Sequence, residues 1–258
     1  MTVIAGLPSL DVYTLSETWA LGEALHALWA KIGASLGLPP SRWLDDDGRR
    51  IYAAVMALST ETDLDHPVGE DAKITAETRM VAVRKPHAIG ETVFSADGRP
   101  VMTVRLLTSL VRRDTAGSNK KLSKVRTLWQ AEDLDAAAVD GWLAQHHAMK
   151  DQRLAEAAPV LRHEANRLAD FNAADLFYFR NFVHLARAAE WKEARGTANP
   201  PMAARRDVFF YGNLDDGDEM VARVARDGDA CRTELARADG GFLCLSVSRT
   251  QPVTMQVR

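Results

Sequence analysis

Residues 15–40 read LSETWALGEALHALWAKIGASLGLPP, and this stretch sets the first element of the fold. Its apolar residues recur three or four positions apart, which predicts an amphipathic helix over 15–36 with one broad apolar face. Thr14 and Glu17 have the spacing of a capping box at its start. Gly37 can adopt the left-handed conformation that ends a helix, and the two prolines after it prevent continuation. The apolar positions are Leu21, Leu25, Leu28, Trp29, Ile32 and Leu36.

After this helix the pattern changes to β-rich runs separated by Gly, Asp and Pro turn signals, and the second half of the chain repeats the same order. The Asp97-Gly98 pair predicts a tight hairpin between two runs of the first half. In the second half, a helix is predicted over about 173–194, ended by Asn199-Pro200-Pro201. The predicted strands are 51–58, 74–83, 92–94 and 101–110, then 208–211, 220–225, 231–236 and 242–247.

Short strings recur in the same order in both halves. Arg49-Arg50 corresponds to Arg205-Arg206, and ADGRPVMTV at 96–104 corresponds to ADGGFLCLS at 238–246. Repeated strings in one order suggest a duplicated unit. A single long helix beside about five antiparallel strands buries its apolar face only if the sheet curls around it. We therefore predict an α+β fold of the double hot-dog type, in which two tandem units pair as an internal dimer.

The predicted organisation is an N-terminal hot-dog domain over 1–130, a connecting helical segment over 131–157 and a C-terminal hot-dog domain over 158–258. The connector at 114–124 is rich in Gly, Ser, Asn and Lys, and an Ala-rich accessory helix is predicted over 134–157. Edge strands left after internal pairing could join two chains, so a homodimer is compatible with this organisation.

The composition excludes several classes of protein. The 258 residues are 47% hydrophobic and 26% charged, an ordinary globular balance. The formal net charge is −3, so no global positive field exists to hold nucleic acid or an acidic membrane. Two cysteines, Cys231 and Cys244, build neither a disulfide framework nor a four-thiolate zinc site. No signal-peptide pattern and no spanning apolar run is found, so a cytoplasmic protein is predicted.

Four segments together resemble one known family. They are GLPSLDVYTLSETW at 6–19, GRRIYAAV at 48–55, DFNAADLFYFRNF at 170–182 and YGNLDDGD at 211–218. The chain resembles the double hot-dog bifunctional acyltransferase/decarboxylase family of polyketide biosynthesis, of the leinamycin-pathway type. The resemblance implies decarboxylation of a malonyl- or methylmalonyl-type CoA thioester. It also implies that the acyl group is held on a tyrosine and passed to the thiol of an acyl carrier protein.

The tyrosine that matches this family is Tyr52. A phenol is a weak nucleophile at neutral pH until hydrogen-bond donors or a positive charge stabilise the phenolate. Arg49 and Arg50 lie close in sequence, and strand alternation lets only Arg50 share the face of Tyr52. An aryl ester is also activated toward a thiol, which suits transfer. The alternative is that Tyr52 is a strand aromatic packed on the helix.

The LSETW segment supplies three further candidates. The hydroxyl of Ser16 and the backbone N–H groups at the start of the helix could stabilise the enolate that decarboxylation produces. Glu17 could polarise the phenol. The resemblance also assigns Trp19 to substrate binding. For Ser16 and Glu17, capping of the first helical turn is the competing interpretation.

In the second half, Asp170 and Asn172 precede the predicted helix. A carboxylate there could serve as a base or nucleophile toward a thioester, although capping is the more frequent role of Asp at such a position. The Asn172 amide can donate to a carbonyl, and we assign it to the catalytic pocket and Asp170 to substrate binding. Lys121 and Lys124 belong to a basic run that could bind CoA phosphates or an acidic carrier protein, or could be a solvated linker.

The sequence contains no HExxH or CxxC pattern and no Walker or dinucleotide glycine pattern, so neither a metal nor a nucleotide cofactor is predicted. CoA enters only as part of the thioester substrate. The predicted function is therefore an acyl-CoA acyltransferase/decarboxylase that acylates a carrier protein through acyl-Tyr52. The alternatives are a hot-dog acyl thioesterase or dehydratase, and a catalytically silent hot-dog protein that binds acyl carriers.

Overall fold

A computed structural model describes residues 1–125, 133–195 and 202–251 of the chain. Its helices are α1 (Glu17–Leu36), α2 (Ala136–Met149), α3 (Arg167–Asp170) and α4 (Phe179–Glu193). The strands of the first half are β1 (Thr2–Ile4), β2 (Tyr52–Thr62), β3 (Lys73–Arg84), β4 (His87–Ala96), β5 (Arg99–Arg113) and β6 (Leu122–Lys124). Those of the second half are β7 (Leu161–Glu164), β8 (Met202–Phe210), β9 (Glu219–Asp227), β10 (Ala230–Arg237) and β11 (Phe242–Gln251).

All of these strands belong to one antiparallel sheet. Its order is β1-β3-β4-β5-β2-β8-β11-β10-β9-β7, with β6 paired to the end of β5. The order of the second five strands mirrors that of the first five, so two units of the same topology meet at the β2–β8 seam. The long helices α1 and α4 pack on the sheet and on each other, and the main apolar core lies between these layers. This arrangement confirms the repeated order of one helix followed by strands.

The first helix follows the sequence prediction closely, but its cap differs. Ser16 is the N-cap residue, and its hydroxyl accepts the Trp19 N–H at 3.4 Å. The predicted Thr14–Glu17 capping box does not form, because Thr14 instead accepts the N–H of Val68 at 3.1 Å. At the other end Gly37 has a φ of 64°, as the helix end requires.

The tight hairpin predicted at Asp97-Gly98 is also confirmed, between β4 and β5. Asp97 and Gly98 have φ values of 49° and 85°, the left-handed backbone of a tight hairpin turn. By contrast, the prediction for the second helix began too early. Residues 173–178 form a loop, with Asp175 at a φ of 55°, and α4 begins only at Phe179. The proline stop at 199–201 lies outside the described residues.

The structure differs from two further predictions, the correspondence of the two Arg-Arg pairs and the length of the accessory helix. The string correspondence of Arg49-Arg50 with Arg205-Arg206 is not structural, because the first pair precedes β2 whereas the second lies inside β8. The accessory helix is shorter than predicted, and α2 packs on the opposite face of the sheet in a second apolar cluster with Val139. The predicted domain boundary at 130 lies outside the described residues, and the division into 1–130, 131–157 and 158–258 stays a prediction.

Candidate active site

The seam between the two units is short, and this creates a crevice at each of its ends. β2 and β8 pair only from Ala57 opposite Phe209 to Glu61 opposite Arg205. Residues 52–56 of β2 extend beyond this pairing at one end, and both strands also continue past it at the other. We name the cavity at the first end the Tyr52 crevice and the cavity at the second end the Glu17 crevice, after a residue that lines each.

The Tyr52 crevice has a volume of about 320 Å³ and adjoins a wider opening of about 710 Å³. Tyr52 and Asn172 line both. The walls are mainly apolar, and both long helices contribute to them. Apolar walls with a few placed polar groups are typical of a small-molecule site. The wall residues from α1 and α4 are Leu25, Trp29, Phe179 and Phe182.

Tyr52 is half-buried at the start of β2, and a cation contacts its hydroxyl. Arg113 Nη1 donates to Tyr52 Oη at 2.8 Å, and the guanidinium carbon lies 5.0 Å from the centroid of the tyrosine ring. A hydrogen bond from a charged donor is roughly twice as strong as a neutral one. The Tyr52 hydroxyl oxygen therefore accepts a charge-assisted hydrogen bond.

Sequence reasoning missed Arg113 and considered Arg50 instead. Arg50 is exposed and donates to the carbonyl oxygen of Ser41, although it does line the wider opening. Arg113 follows Val111, the β5 partner of Tyr52, by two residues, so it is on the same sheet face as the tyrosine. The register of β2 against β5 is the signal that would have identified it.

Arg113 is fixed by both units of the fold. Its Nε donates to Asn119 Oδ1 at 2.8 Å, and its Nη2 donates to the backbone carbonyls of Ala174 and Asp175. Asn119 is buried and itself donates to the Asp175 carbonyl at 2.7 Å. With its other donors occupied, the guanidinium is held in place beside Tyr52.

Asn172 is oriented by the loop that precedes α4. Its Oδ1 accepts the N–H groups of Ala174 at 2.9 Å and Leu176 at 3.2 Å. These two bonds assign the oxygen and leave the amide nitrogen as the remaining donor. Asn172 lines the crevice, so this nitrogen can donate to a carbonyl there.

A second phenol lines the same crevice but lies in a different environment. Burial raises the pKa of Tyr178, and the charge of Arg180 opposes this rise only in part. The guanidinium carbon of Arg180 lies 4.9 Å from the centroid of the Tyr178 ring. Tyr178 is therefore kept as a neutral phenol, whereas Tyr52 receives a hydrogen bond from a cation.

The basic run lies at the same end of the seam. Lys121 and Lys124 line the Tyr52 crevice together with Lys120. Lys121 is well exposed and pairs with Asp114 at 3.5 Å. The structure thus brings four of the predicted residues to one cavity: Tyr52, Asn172, Lys121 and Lys124.

Ser16 and Glu17 are not brought to this cavity, because they line the Glu17 crevice, which has a volume of about 460 Å³. Glu17 is buried and accepts the hydroxyl of Thr60 at 2.7 Å and Arg206 Nε at 3.3 Å. Burial raises the pKa of Glu17, but the charges of Arg206 and Arg187 outweigh it and hold the pKa below its ordinary value. Glu17 is therefore an ionised member of a buried ion cluster.

The rest of this cluster surrounds Arg206, which is 2% exposed. Arg206 donates from Nη1 and Nη2 to the two oxygens of Glu190, at 2.6 and 2.9 Å, and to Ser246 Oγ at 2.8 Å. Thr233 Oγ1 also donates to Glu190 at 3.1 Å. Both ends of the seam thus hold a cavity, and they differ in that a buried ion cluster lies against the Glu17 crevice.

The remaining two predicted residues lie away from both crevices. Trp19 packs against Phe94, with ring centroids 5.9 Å apart. Asp170 is buried and accepts the Asn166 N–H at 2.9 Å, while its Oδ2 lies 2.8 Å from His163 Nε2. Neither Trp19 nor Asp170 is among the described residues that line either crevice.

The described parts of the chain hold no group of three or more His, Cys, Asp or Glu side chains placed to bind a metal ion. Within the same residues, none of the helices combines the length and apolar character needed to cross a membrane.

Comparisons with known proteins identify the fold. Neither a family model nor a curated protein sequence matches the chain. Among solved structures, it is similar to an acyl-ACP thioesterase from Bacteroides thetaiotaomicron, with a TM-score of 0.67 and 12% identity over 97% of this chain and 96% of that one. It is also similar to the 12:0-ACP thioesterase from Umbellularia californica, with a TM-score of 0.69 and 10% identity over 98% and 96%. The chain therefore has the predicted α+β hot-dog architecture, with two units in tandem.

Proposed function

We propose that this protein is an enzyme that acts on acyl thioesters, and that it transfers the acyl group through Tyr52. The observation that carries the proposal is the 2.8 Å hydrogen bond from Arg113 Nη1 to Tyr52 Oη at the wall of an apolar crevice. A cation on the phenol oxygen favours its nucleophilic form. The walls contributed by α1 and α4 offer an acyl chain an apolar surface.

The transfer proceeds in two steps. Tyr52 Oη attacks the thioester carbonyl carbon, the carbon–sulfur bond breaks, and the phenol proton leaves with the CoA thiolate as free thiol. The thiol of an acyl carrier protein then attacks the acyl-tyrosine, and its proton returns to the phenol oxygen. Arg113 stabilises the phenolate in both steps, and the Asn172 amide nitrogen can donate to the carbonyl oxygen as it becomes negative.

For a malonyl-type substrate, decarboxylation is part of this proposal. The bond to the carboxyl carbon breaks, carbon dioxide leaves, and the electron pair forms an enolate that is then protonated. The start of α1 lies at the Glu17 crevice, so donors at the Tyr52 crevice must stabilise that enolate. The Asn172 amide nitrogen is the donor that we assign to it.

Hydrolysis is the second candidate, since the solved structures similar to this chain include acyl-ACP thioesterases. A thioesterase needs a base or a carboxylate nucleophile near the thioester. No carboxylate or histidine is among the described residues that line the 320 Å³ cavity, and the one carboxylate among those that line the wider opening, Asp175, is paired with Arg167. Asp170 and His163 form a pair, but they lie outside this lining. This difference favours transfer through Tyr52.

The substrates and partners of the proposal follow from the same crevice. Lys121 and Lys124 would bind the phosphates of CoA or the acidic surface of a carrier protein. The malonyl or methylmalonyl group, the carrier protein and the setting in polyketide biosynthesis rest on the sequence resemblance, and so does a cytoplasmic location.

The decisive experiment is mass spectrometry of the intact protein after incubation with malonyl-, methylmalonyl- and octanoyl-CoA. We expect an acyl adduct that peptide mapping assigns to Tyr52 and that a holo carrier protein removes. Tyr52→Phe should form no adduct. Tyr13→Phe is the matched control, because Tyr13 lines the Glu17 crevice. It should behave as wild type.

Other products would identify other functions. Free acid at an undiminished rate in Tyr52→Phe would refute the tyrosine mechanism and establish hydrolysis. An enoyl product would indicate a dehydratase. Retention of a carrier protein with every acyl-CoA unchanged would indicate a binding protein.

A further inference from the structure

Two exposed arginines lie together beside the wider opening that adjoins the Tyr52 crevice. Arg50 lines this opening and donates to the backbone carbonyl of Ser41, the residue before Arg42. The residues that flank Ser41-Arg42 on either side line the opening as well. Neither arginine is paired with a carboxylate among the residues that the structure describes. We name Arg42 and Arg50 the arginine pair, and its charge is open to an anionic partner.

The aspartates of the same loop do not cancel this charge. The Asp45 carboxylate lies 2.9 Å from Arg49 Nε and 3.5 Å from Arg112 Nε, and Asp47 also pairs with Arg49. These two carboxylates are thus matched by two other arginines. Asp46 is the third aspartate of the loop, and it is exposed. The two charges of the arginine pair exceed this single carboxylate, so the region presents a net positive surface.

The lysines that line the Tyr52 crevice have different surroundings. Lys120 lies 3.0 Å from Asp218 and 3.9 Å from Asp215, and Lys121 lies 3.5 Å from Asp114. An acidic protein surface placed on these lysines would also lie against the three aspartates, and like charges repel. The arginine pair is therefore the better complement to an acidic protein.

Tyr52 can be reached from both cavities. It lines each of them, whereas the lysines line only the crevice and Arg50 lines only the wider opening. Arg113 lines the opening, Asn119 lines the crevice, and the hydrogen bond of 2.8 Å between these two side chains lies at the boundary. A flexible arm that enters through the opening therefore reaches the phenol without passing the lysines.

We propose that the arginine pair is the docking surface for the acidic acyl carrier protein that accepts the acyl group from Tyr52. This inference rests on the proposed function, and it gives the acceptor a surface of its own. The phosphopantetheine arm enters through the wider opening, whose walls include Trp29, Trp43 and Ile51. Guanidinium groups suit the phosphate of that arm as well as the carboxylates of the carrier. The lysines of the crevice are left to the phosphates of the acyl-CoA donor.

The test measures the two half-reactions separately. Tyr52 is acylated with an acyl-CoA, free CoA is removed, and transfer to a holo carrier protein is followed by mass spectrometry at carrier concentrations below its dissociation constant. We expect Arg42→Glu and Arg50→Glu each to slow this transfer about tenfold. Acylation of Tyr52 by the acyl-CoA should stay within about twofold of wild type. That half-reaction also shows that each variant is folded.

Arg232→Glu is the matched control. Arg232 is an exposed arginine of β10 that lines neither cavity, so its reversal should leave transfer to the carrier within about twofold of wild type. Lys121→Glu compares the two surfaces. It should slow transfer to the carrier less than either substitution in the arginine pair.

The outcomes separate this inference from the function on which it rests. Transfer that the arginine-pair variants slow no more than Arg232→Glu does, or that Lys121→Glu slows equally, would overturn the docking surface alone. A Tyr52 that no acyl-CoA acylates would overturn the proposed function. Isothermal titration of the holo carrier protein then still tests the surface. Binding weakened about tenfold in Arg42→Glu and Arg50→Glu would support it, and equal binding or none to the wild type would overturn it.

Discussion

Arg206→Met tests whether the ion cluster at the Glu17 crevice holds the two units together. The substitution keeps an unbranched side chain of similar length but removes the bidentate pair with Glu190 and the bond to Glu17. Two buried carboxylates then lack their central cation. Removing one partner of a buried ion pair costs about 3–5 kcal/mol. That is a large part of the roughly 5–15 kcal/mol by which a protein is stable.

Urea unfolding at pH 7.5, followed by tryptophan fluorescence, measures this loss. Arg205→Met is the matched control, since Arg205 is the exposed neighbour that pairs with Asp207 and Glu61. An exposed pair contributes about 0–1 kcal/mol, so the control should stay near wild type. A loss below about 1 kcal/mol for Arg206→Met, or an equal loss for both variants, would refute the reasoning.

The pH dependence gives an independent check. In the wild type the pKa of Glu17 lies below its ordinary value of 4.5, because Arg206 and Arg187 outweigh the effect of burial. Its ionised form therefore contributes stability above about pH 4.5, and this contribution is lost as the pH falls through the lower folded pKa. In Arg206→Met the ionised form of Glu17 is destabilising instead, because the cation that offsets its burial has been removed. The destabilisation should shrink when the pH is lowered from about 7.5 to about 5.

The remaining predictions concern the site and the fold. Arg113→Met should lower the rate of Tyr52 acylation by about 10²-fold in single-turnover assays, as for loss of one oxyanion donor, and Arg50→Met should not. Gly90→Ala should lower the free energy of unfolding in urea by about 1–3 kcal/mol, since its Cβ would lie 2.6 Å from Leu28 Cδ1. Adding Leu28→Ala should offset part of this loss. If the losses of the two single variants simply add in the double variant, the clash is contradicted. Gly98→Ala should cost about 1 kcal/mol at its φ of 85°, whereas Gly141→Ala in α2 should stabilise by up to about 1 kcal/mol.

The parts of the fold that sequence predicts well are those set by neighbouring residues. Helix α1, its Gly37 end and the Asp97-Gly98 turn depend on local periodicity and backbone conformation, and all three are observed. The predicted start of α4, at about residue 173, was wrong because local hydrogen bonds compete with the helix. The apolar spacing from Leu176 onward predicts a helix, but the Asn172 side chain accepts two backbone N–H groups and stabilises a loop instead.

The candidate site depends on contacts between distant residues, and these are not visible in local patterns. Tyr52 and Arg113 are 61 positions apart, and Glu17 and Arg206 are 189 apart. The family resemblance assigns the LSETW and RIYA segments to one site. In the structure Glu17 and Tyr52 lie at opposite ends of the β2–β8 seam. The β2–β5 register brings Arg113 beside Tyr52, and the contact of α1 with β8 brings Glu17 to Arg206.

The mirrored sheet has a consequence for how the two units could exist apart. Glu17 of the first unit finds its cation on β8 of the second, and Arg113 of the first unit donates to carbonyls in the loop before α4. Two copies of the first unit would bring neither Arg206 to Glu17 nor that loop to Arg113. The two units therefore have the same topology but different side chains at their interface. A dimer of the first unit alone would lack these contacts.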